Sequence, residues 1–211
     1  MKKTLLLSAV ALCTALAASA QISKGSSYLG GNAGFRMSTT RPDNGDKTTL
    51  TLFNLSPSMG FAYKENRVWG LLLSYGNSTS KTGNDKYSSN SYGIGAFLRQ
   101  YQPLGKGCYL FAQESLVFYY NNGKSNSANS SKDNTYNTGL SLSPGFAYDI
   151  SKKFQLELLL NGLLYANYGH NKVEQSGGVI REASNLSAGS SLSNLSQVNA
   201  INIGARFAFG R

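Results

Sequence analysis

The stretch from Tyr136 to Tyr168 limits what this chain can fold into more than any other. Every second residue from its start reads Tyr136, Thr138, Leu140, Leu142, Pro144, Phe146 and Tyr148, and between them stand Asn137, Gly139, Ser141, Ser143, Gly145 and Ala147. After a polar break at residues 149–153 the pattern resumes, with Phe154, Leu156, Leu158, Leu160, Leu164 and Tyr168 against Gln155, Glu157, Asn161 and Asn167. Period two over about ten residues, twice, describes two strands with one greasy face and one small or polar face. A soluble sandwich would also alternate, but it would not need polar and charged residues inside and apolar ones outside. A sheet that closes on itself within lipid needs that inversion.

The N-terminus says where such a sheet would go. Met1-Lys2-Lys3, the apolar run Thr4 to Leu16 and Ala18-Ser19-Ala20 have the form of a secretory signal peptide,. Residues 1–20 are therefore expected to be cleaved, leaving one domain over 21–211. The run is too short for the ~20 residues of a spanning helix. Cys13 follows Leu12 and lacks the small preceding residue of a lipoprotein signal, which excludes a lipid anchor. The mature chain keeps only Cys108, so it can form no internal disulfide,. A hydrophobic share of 41% is low for a helical membrane protein and suits a barrel, where alternate residues meet lipid,. The formal charge falls from +10 to +8 when Lys2 and Lys3 leave. It is spread thinly, without a dense Lys/Arg patch, which argues against a nucleic-acid partner.

The rest of the chain repeats the hairpin's rule. A first strand near Tyr28–Ser38 alternates Leu29, Gly31, Ala33, Phe35 and Met37 with Gly30, Asn32, Gly34 and Arg36; a second near Thr49–Tyr63 shows Phe53, Leu55, Pro57, Met59, Phe61 and Tyr63. A third near Arg67–Gly76 presents Trp69, Leu71, Leu73 and Tyr75, and a fourth near Ser89–Tyr101 presents Tyr92, Ile94, Ala96 and Leu98. The fifth, Cys108–Tyr120, reads in two registers. Placing Glu114 in the lumen exposes Tyr109, Phe111, Gln113, Val117 and Tyr119, whereas the other register exposes Leu116, Phe118 and Tyr120 together with Glu114. A glutamate costs more in lipid than a glutamine, which favours the first. An eighth strand, Gln197–Phe209, alternates Ile201, Ile203, Ala205, Phe207 and Phe209 with Asn202, Gly204, Arg206 and Ala208.

Polar loops at 39–48, 77–88, 121–135 and 169–196 follow the odd strands, with Val179-Ile180 marking a short strand extension in the last, and short turns follow the even ones. The pattern predicts an all-β, eight-stranded, antiparallel, up-and-down transmembrane β-barrel with both termini in the periplasm. Tyr63, Trp69, Tyr148, Phe154, Phe207 and Phe209 near the short turns, and Tyr75 and Tyr168 near the long loops, predict two interfacial girdles; Tyr101, Tyr109 and Tyr119 are assigned to them too. Pro57 and Pro144 lack the N–H a central ladder needs, so a bulge or a weakened pairing is expected at each.

Leu55-Ser56-Pro57 with Gly60-Phe61-Ala62-Tyr63, its echo Leu142 to Tyr148, and the closing Ile203-Gly204-Ala205-Arg206-Phe207-Ala208-Phe209 carry a resemblance over essentially the whole mature chain. The chain resembles small outer-membrane barrels of the OmpX, OmpA-barrel and OmpW kind, and the porin-like barrel-domain proteins of Bacteroidetes in particular. The resemblance implies a Gram-negative outer membrane, contact with its lipids and lipopolysaccharide, and insertion by the barrel assembly machinery. Such barrels usually end on an aromatic residue; here Gly210-Arg211 follow Phe209.

An eight-strand barrel is just wide enough for side chains to fill. Arg36, Arg99, Arg206, Glu157 and Glu114 are accordingly expected to form an ion-pair network inside it, with a polar path for small solutes or small hydrophobic molecules as the alternative. No catalytic group is expected, since His170 is the one histidine and Gly169-His170-Asn171-Lys172 lacks the His-x-Ser pair of the barrels that deacylate lipid A. No cofactor or metal is expected either. The reading is a non-enzymatic barrel with a structural role or a surface contact, through its loops, with an unidentified extracellular partner.

Overall fold

The structure, a computed structural model, describes residues 22–41, 46–126, 131–175, 180–190 and 201–210. The predicted leader and Gln21 lie outside the described residues. The strands are β1 Ser27–Thr40, β2 Thr48–Lys64, β3 Arg67–Thr82, β4 Asp85–Gly105, β5 Cys108–Ser125, β6 Ser131–Asp149, β7 Phe154–Leu160, β8 Leu164–Gln175, β9 Ile180–Ser190 and β10 Ile201–Phe209.

From β1 to β6 each strand pairs antiparallel with the next; β6 then pairs with β7, β7 with β10, and β10 with β1. Followed in order these pairings return to their start. Eight strands therefore close a ring at the short-turn end, which leaves no edge there to satisfy,. The predicted seventh strand is two segments, β7 and β8, both along β6. Within the predicted loop 169–196 lies β9, paired to the edge of β8 that continues the edge β10 takes on β7.

The seam between β7 and β8 has a cause. β6 pairs with β7 as far as Gly145 and with β8 from Leu142, so Asn161-Gly162-Leu163 bulge opposite Ser143-Pro144, with Gly162 at φ +59° and its N–H on Ser143 Oγ at 2.9 Å. At the other proline, the β2–β3 ladder jumps from Leu55↔Tyr75 to Ser58↔Leu72, skipping Pro57. Proline has no N–H to donate, and both ladders lapse where the sequence places one.

The long loops are shorter than predicted. Residues 77–82 and 85–88 continue β3 and β4 as a ladder to the Thr82↔Asp85 pair, and residues 121–125 and 131–135 do the same for β5 and β6. Above the lipid both faces meet water, so alternation disappears while backbone pairing continues. Asparagines hold these extensions across the strands: Asn77 Nδ2 donates to Asn90 Oδ1 at 2.9 Å, and Asn122 Nδ2 to Asn134 Oδ1 at 2.8 Å.

Leu29, Phe35, Met59, Leu71, Ile94, Leu140 and Ile203 are exposed on the outside, whereas Arg99, Gln113, Ser115, Ser143, Gln155, Glu157 and Asn202 are buried within. Two bands of outward aromatics flank the apolar surface. Tyr75–Tyr92 and Tyr120–Tyr136 pack at 5.5 and 5.2 Å on the long-hairpin side, and Phe154–Phe207 at 4.9 Å on the other. Tyr63, Trp69, Tyr148, Tyr168 and Phe209 also face out.

β5 corrects the predicted register. Tyr109, Phe111, Gln113 and Val117 are buried in the lumen, and Leu110, Glu114, Leu116, Phe118 and Tyr120 are exposed outside. Tyr101 is likewise internal, and Tyr119 lines the lumen; all three tyrosines leave the predicted girdles. The connection from β4 sets the parity. Its register shifts between Pro103 and Gly105, leaving Leu104 as an extra residue, and Gly105, Lys106 and Gly107 all have positive φ. One inserted residue exchanges inside for outside along the strand that follows.

Candidate functional site

The inner face of the ring holds a charged bridge. Arg99 comes from β4 and Arg206 from β10, four places apart in the eight-membered ring and so on opposite walls. Glu157 of β7 stands between them. Its Oε1 takes a hydrogen bond from Arg99 Nη1 at 2.5 Å and lies 2.7 Å from Arg206 Nε, a close ion pair not aligned as a hydrogen bond. Arg99 Nε and Nη2 both donate to Gln113 Oε1, directly across on β5, and Nη1 also donates to Tyr101 Oη at 3.0 Å. Gln113 Nε2 passes the chain on to Ser115 Oγ at 3.0 Å.

Aromatic rings enclose the charges. The Arg99 guanidinium carbon lies 4.0 Å from the Phe111 ring centroid, and that of Arg206 lies 5.3 Å from Phe97. Such faces attract cations more strongly once water is excluded. Missing side chains directly across on the neighbouring strands make room for them: a Cβ at Gly70 would lie 2.6 Å from Phe97 Cε1, and one at Gly145 would collide with Phe111. The inner wall is thus glycine where the adjacent strand lays a ring across it.

Toward the short turns the lumen is filled by Tyr28, Ala62, Val68, Tyr101, Tyr109, Ala147 and Ala208. Ile22, fully buried, closes that end. Its N–H donates to Asn66 Oδ1, and its carbonyl accepts from the Asn66 N–H, both at 3.0 Å. Toward the long hairpins lies a chamber of about 380 Å3, whose lining includes Asn32, Ser56, Ser115, Ser141, Ser143 and Tyr165. Its floor is the Gln113 side of the charged bridge.

The sequence matches the outer membrane protein beta-barrel domain over residues 5–209. The chain belongs to that family. Among solved structures it is similar to a major outer membrane protein from Thermus thermophilus, at 12% identity and TM-score 0.48 over 88% of this chain and 99% of that one. It is also similar to Neisserial surface protein A, at 14% identity and TM-score 0.45 over 88% and 98%, and to the translocator domain of autotransporter NalP from Neisseria meningitidis, at 13% and 0.42 over 98% and 94%. No curated protein sequence matches it.

In this outer-membrane barrel three of the five predicted lumen charges, Arg99, Glu157 and Arg206, come together. Arg36 faces inward nearer the long hairpins and stays out of the bridge, its Nε buried without a hydrogen-bond partner. Glu114 faces outward, away from all of them. The barrel recruits residues that the sequence reading placed elsewhere or left aside: Gln113, expected on the outer face, and Tyr101, assigned to a girdle, are partners of Arg99, and Ile22 is the seal. Gln113 carried the available signal, since a strand with adjacent polar residues must put one of them inside. His170, on β8, lies with Nδ1 3.1 Å from Ser184 Oγ on an exposed hairpin, and no group of three metal-binding side chains occurs among the described residues.

Proposed function

We propose that this outer-membrane barrel is non-enzymatic and closed to solutes. It serves the envelope as a structural or surface-contact element, with long hairpins outside the cell and short turns and termini in the periplasm. The observation that supports this reading is the bridge from wall to wall. Arg99, Glu157 and Arg206 cross the lumen with Phe97, Phe111 and Tyr101 packed around them, and Ile22 seals the layer below. An eight-strand ring leaves little more than the room these side chains take. The hairpins stand as stiff ladders: Tyr75 Oη and Tyr120 Oη at the girdle donate to Asn90 and Asn134 above it, which suits a surface presented to other molecules or to lipopolysaccharide. Insertion by the barrel assembly machinery belongs to the same reading.

The second reading, a narrow pore for small solutes or small hydrophobic molecules, draws on the serine-lined chamber above the bridge. Conductance of the refolded mature chain in planar bilayers separates the two, once a heat-dependent gel shift has shown that it folds. A folded, silent barrel is the expected result. Reproducible small conductance that vanishes in Glu157→Ala or Arg206→Ala would establish the pore instead. Lipid A masses unchanged by expression are expected of a barrel without enzymatic activity.

A further inference from the structure

The lumen wall carries more positive charge than it balances. Arg36, Arg99 and Arg206 face inward, and among the described residues Glu157 is the one acid on that wall between the aromatic bands. Glu114 faces out beside Leu98 and Leu142, Glu65 and Asp149 stand at the short turns, and the other described acids lie on the long hairpins. Residues 191–200, which the chain sets between β9 and β10, contain no aspartate or glutamate. Glu157 is already shared by Arg99 and Arg206. Arg36 is left over: among the described residues it has no ion pair, and its Nε is buried without a hydrogen-bond partner.

An unpaired guanidinium in this place is costly. Its β1 neighbours Phe35 and Met37 are exposed on the outer face, which sets Arg36 at membrane depth. Arginine cannot shed its proton to escape the cost of leaving bulk water, and a charge within a membrane-spanning wall ordinarily has a partner. Its surroundings are neutral. Leu52 stands directly across on β2. Two inward positions back along β1, about 13 Å, is Asn32, which lines the chamber above the bridge,. The position between them is Gly34, where a Cβ would meet the side chains of Asn54 and Asn202. Asn202 Nδ2 donates to Asn32 Oδ1 at 3.2 Å, so these carboxamides form a strip from the chamber toward Arg36.

We propose that the outer half of the lumen, with Arg36 at its rim, is a binding site for a small oxyanion, a carboxylate or phosphate no larger than a single sugar acid. The excess positive charge selects for an anion, and a guanidinium fork matches either group with two parallel hydrogen bonds. Carboxamide N–H groups and the hydroxyls of Ser56, Ser141 and Tyr165 supply donors for the remaining oxygens of the ligand,. The chamber's volume of about 380 Å3 sets the size,. The site rests on the closed-lumen reading, in which the bridge is the floor and the ligand enters and leaves on the long-hairpin side.

The test titrates the refolded mature chain in detergent micelles, by isothermal calorimetry at low ionic strength, with inorganic phosphate, with glucuronate and with uncharged glucose. Phosphate or glucuronate is expected to bind, with glucose at least tenfold weaker, and the tighter of the two anions identifies the oxyanion. Arg36→Gln, checked for folding by gel shift, should weaken anion binding about tenfold or more, the loss expected for a hydrogen bond to a charged group. A saturating anion should raise the denaturant midpoint of wild type and leave that of Arg36→Gln in place. Wild type that binds neither anion, that binds glucose as tightly, or whose affinity survives Arg36→Gln would each overturn the proposal. Conductance of the same preparation separates the two claims: reproducible current with anion binding intact refutes closure alone, and a silent barrel that binds neither anion refutes the site alone.

Discussion

Replacing Glu157 by glutamine tests the bridge most directly, because it keeps the side chain's shape and removes its charge. In the native barrel one carboxylate oxygen serves Arg99 at 2.5 Å and Arg206 at 2.7 Å, and all three side chains are at most 5% exposed. Glu157→Gln leaves two guanidinium groups in the lumen without a counter-charge. Breaking a buried pair from one side costs about 3–5 kcal/mol, since the remaining charge stays desolvated. Arg99 keeps Gln113, Tyr101 and the Phe111 face, so most of the loss should fall on Arg206, whose one close contact with an opposite charge among the described residues is Glu157. Trp69, the one tryptophan, sits on the outer belt at the short-turn girdle, so its emission reports unfolding of the vesicle-inserted barrel in denaturant. The triple replacement Arg99→Met, Glu157→Leu and Arg206→Met is the companion measurement, because exchanging a whole buried ion network for apolar residues is often neutral or stabilising. A loss below ~1 kcal/mol in Glu157→Gln would refute the claim that this charge holds the two walls together.

Phe97→Ala removes a ring that faces both arginines and fills the space left by Gly70, so the same denaturant assay should show a loss of about 3–5 kcal/mol,. Ile22→Ala empties the seal at the short-turn end; about 2–5 kcal/mol is expected, with faster hydrogen exchange at the Asn66 amide as the local readout,. Brominated lipid chains should quench Trp69 strongly in the folded state, and an unquenched Trp69 would contradict the outward face of β3. Pro57→Thr offers the β2–β3 ladder the N–H it lacks and should raise stability by about 0.5–1.5 kcal/mol in the same denaturation series,.

The parts of this barrel that the sequence disclosed are those where one physical demand acts alone. Lipid on one side and a packed lumen on the other force period two, so Tyr136 to Tyr148 and Phe154 to Leu160 announce both faces, and tyrosines at the span ends announce the girdles. Pro57 and Pro144 announced their lapses because a missing N–H has no remedy in a closed ladder. Legibility failed where two demands competed. On β5 the cost of a carboxylate in lipid argued for Glu114 inside, yet that register would have turned Gln113 away from Arg99 and put Tyr109 and Phe111 in lipid. The bulge at Leu104 decided the matter locally, and its sign was already present in Pro103-Leu104-Gly105-Lys106-Gly107, a turn with glycines at two of its three positive-φ positions. The long hairpins failed for the opposite reason: above the lipid neither face is under selection for apolarity, so Asn77, Asn90, Asn122 and Asn134 read as loop residues although they sit in register across a ladder. An outward Glu114 therefore has a different standing from an outward asparagine. The asparagines stand where water meets both faces, whereas the carboxylate stands within the apolar band. Glu114, outward on β5, breaks with a charge the rule that made the barrel legible.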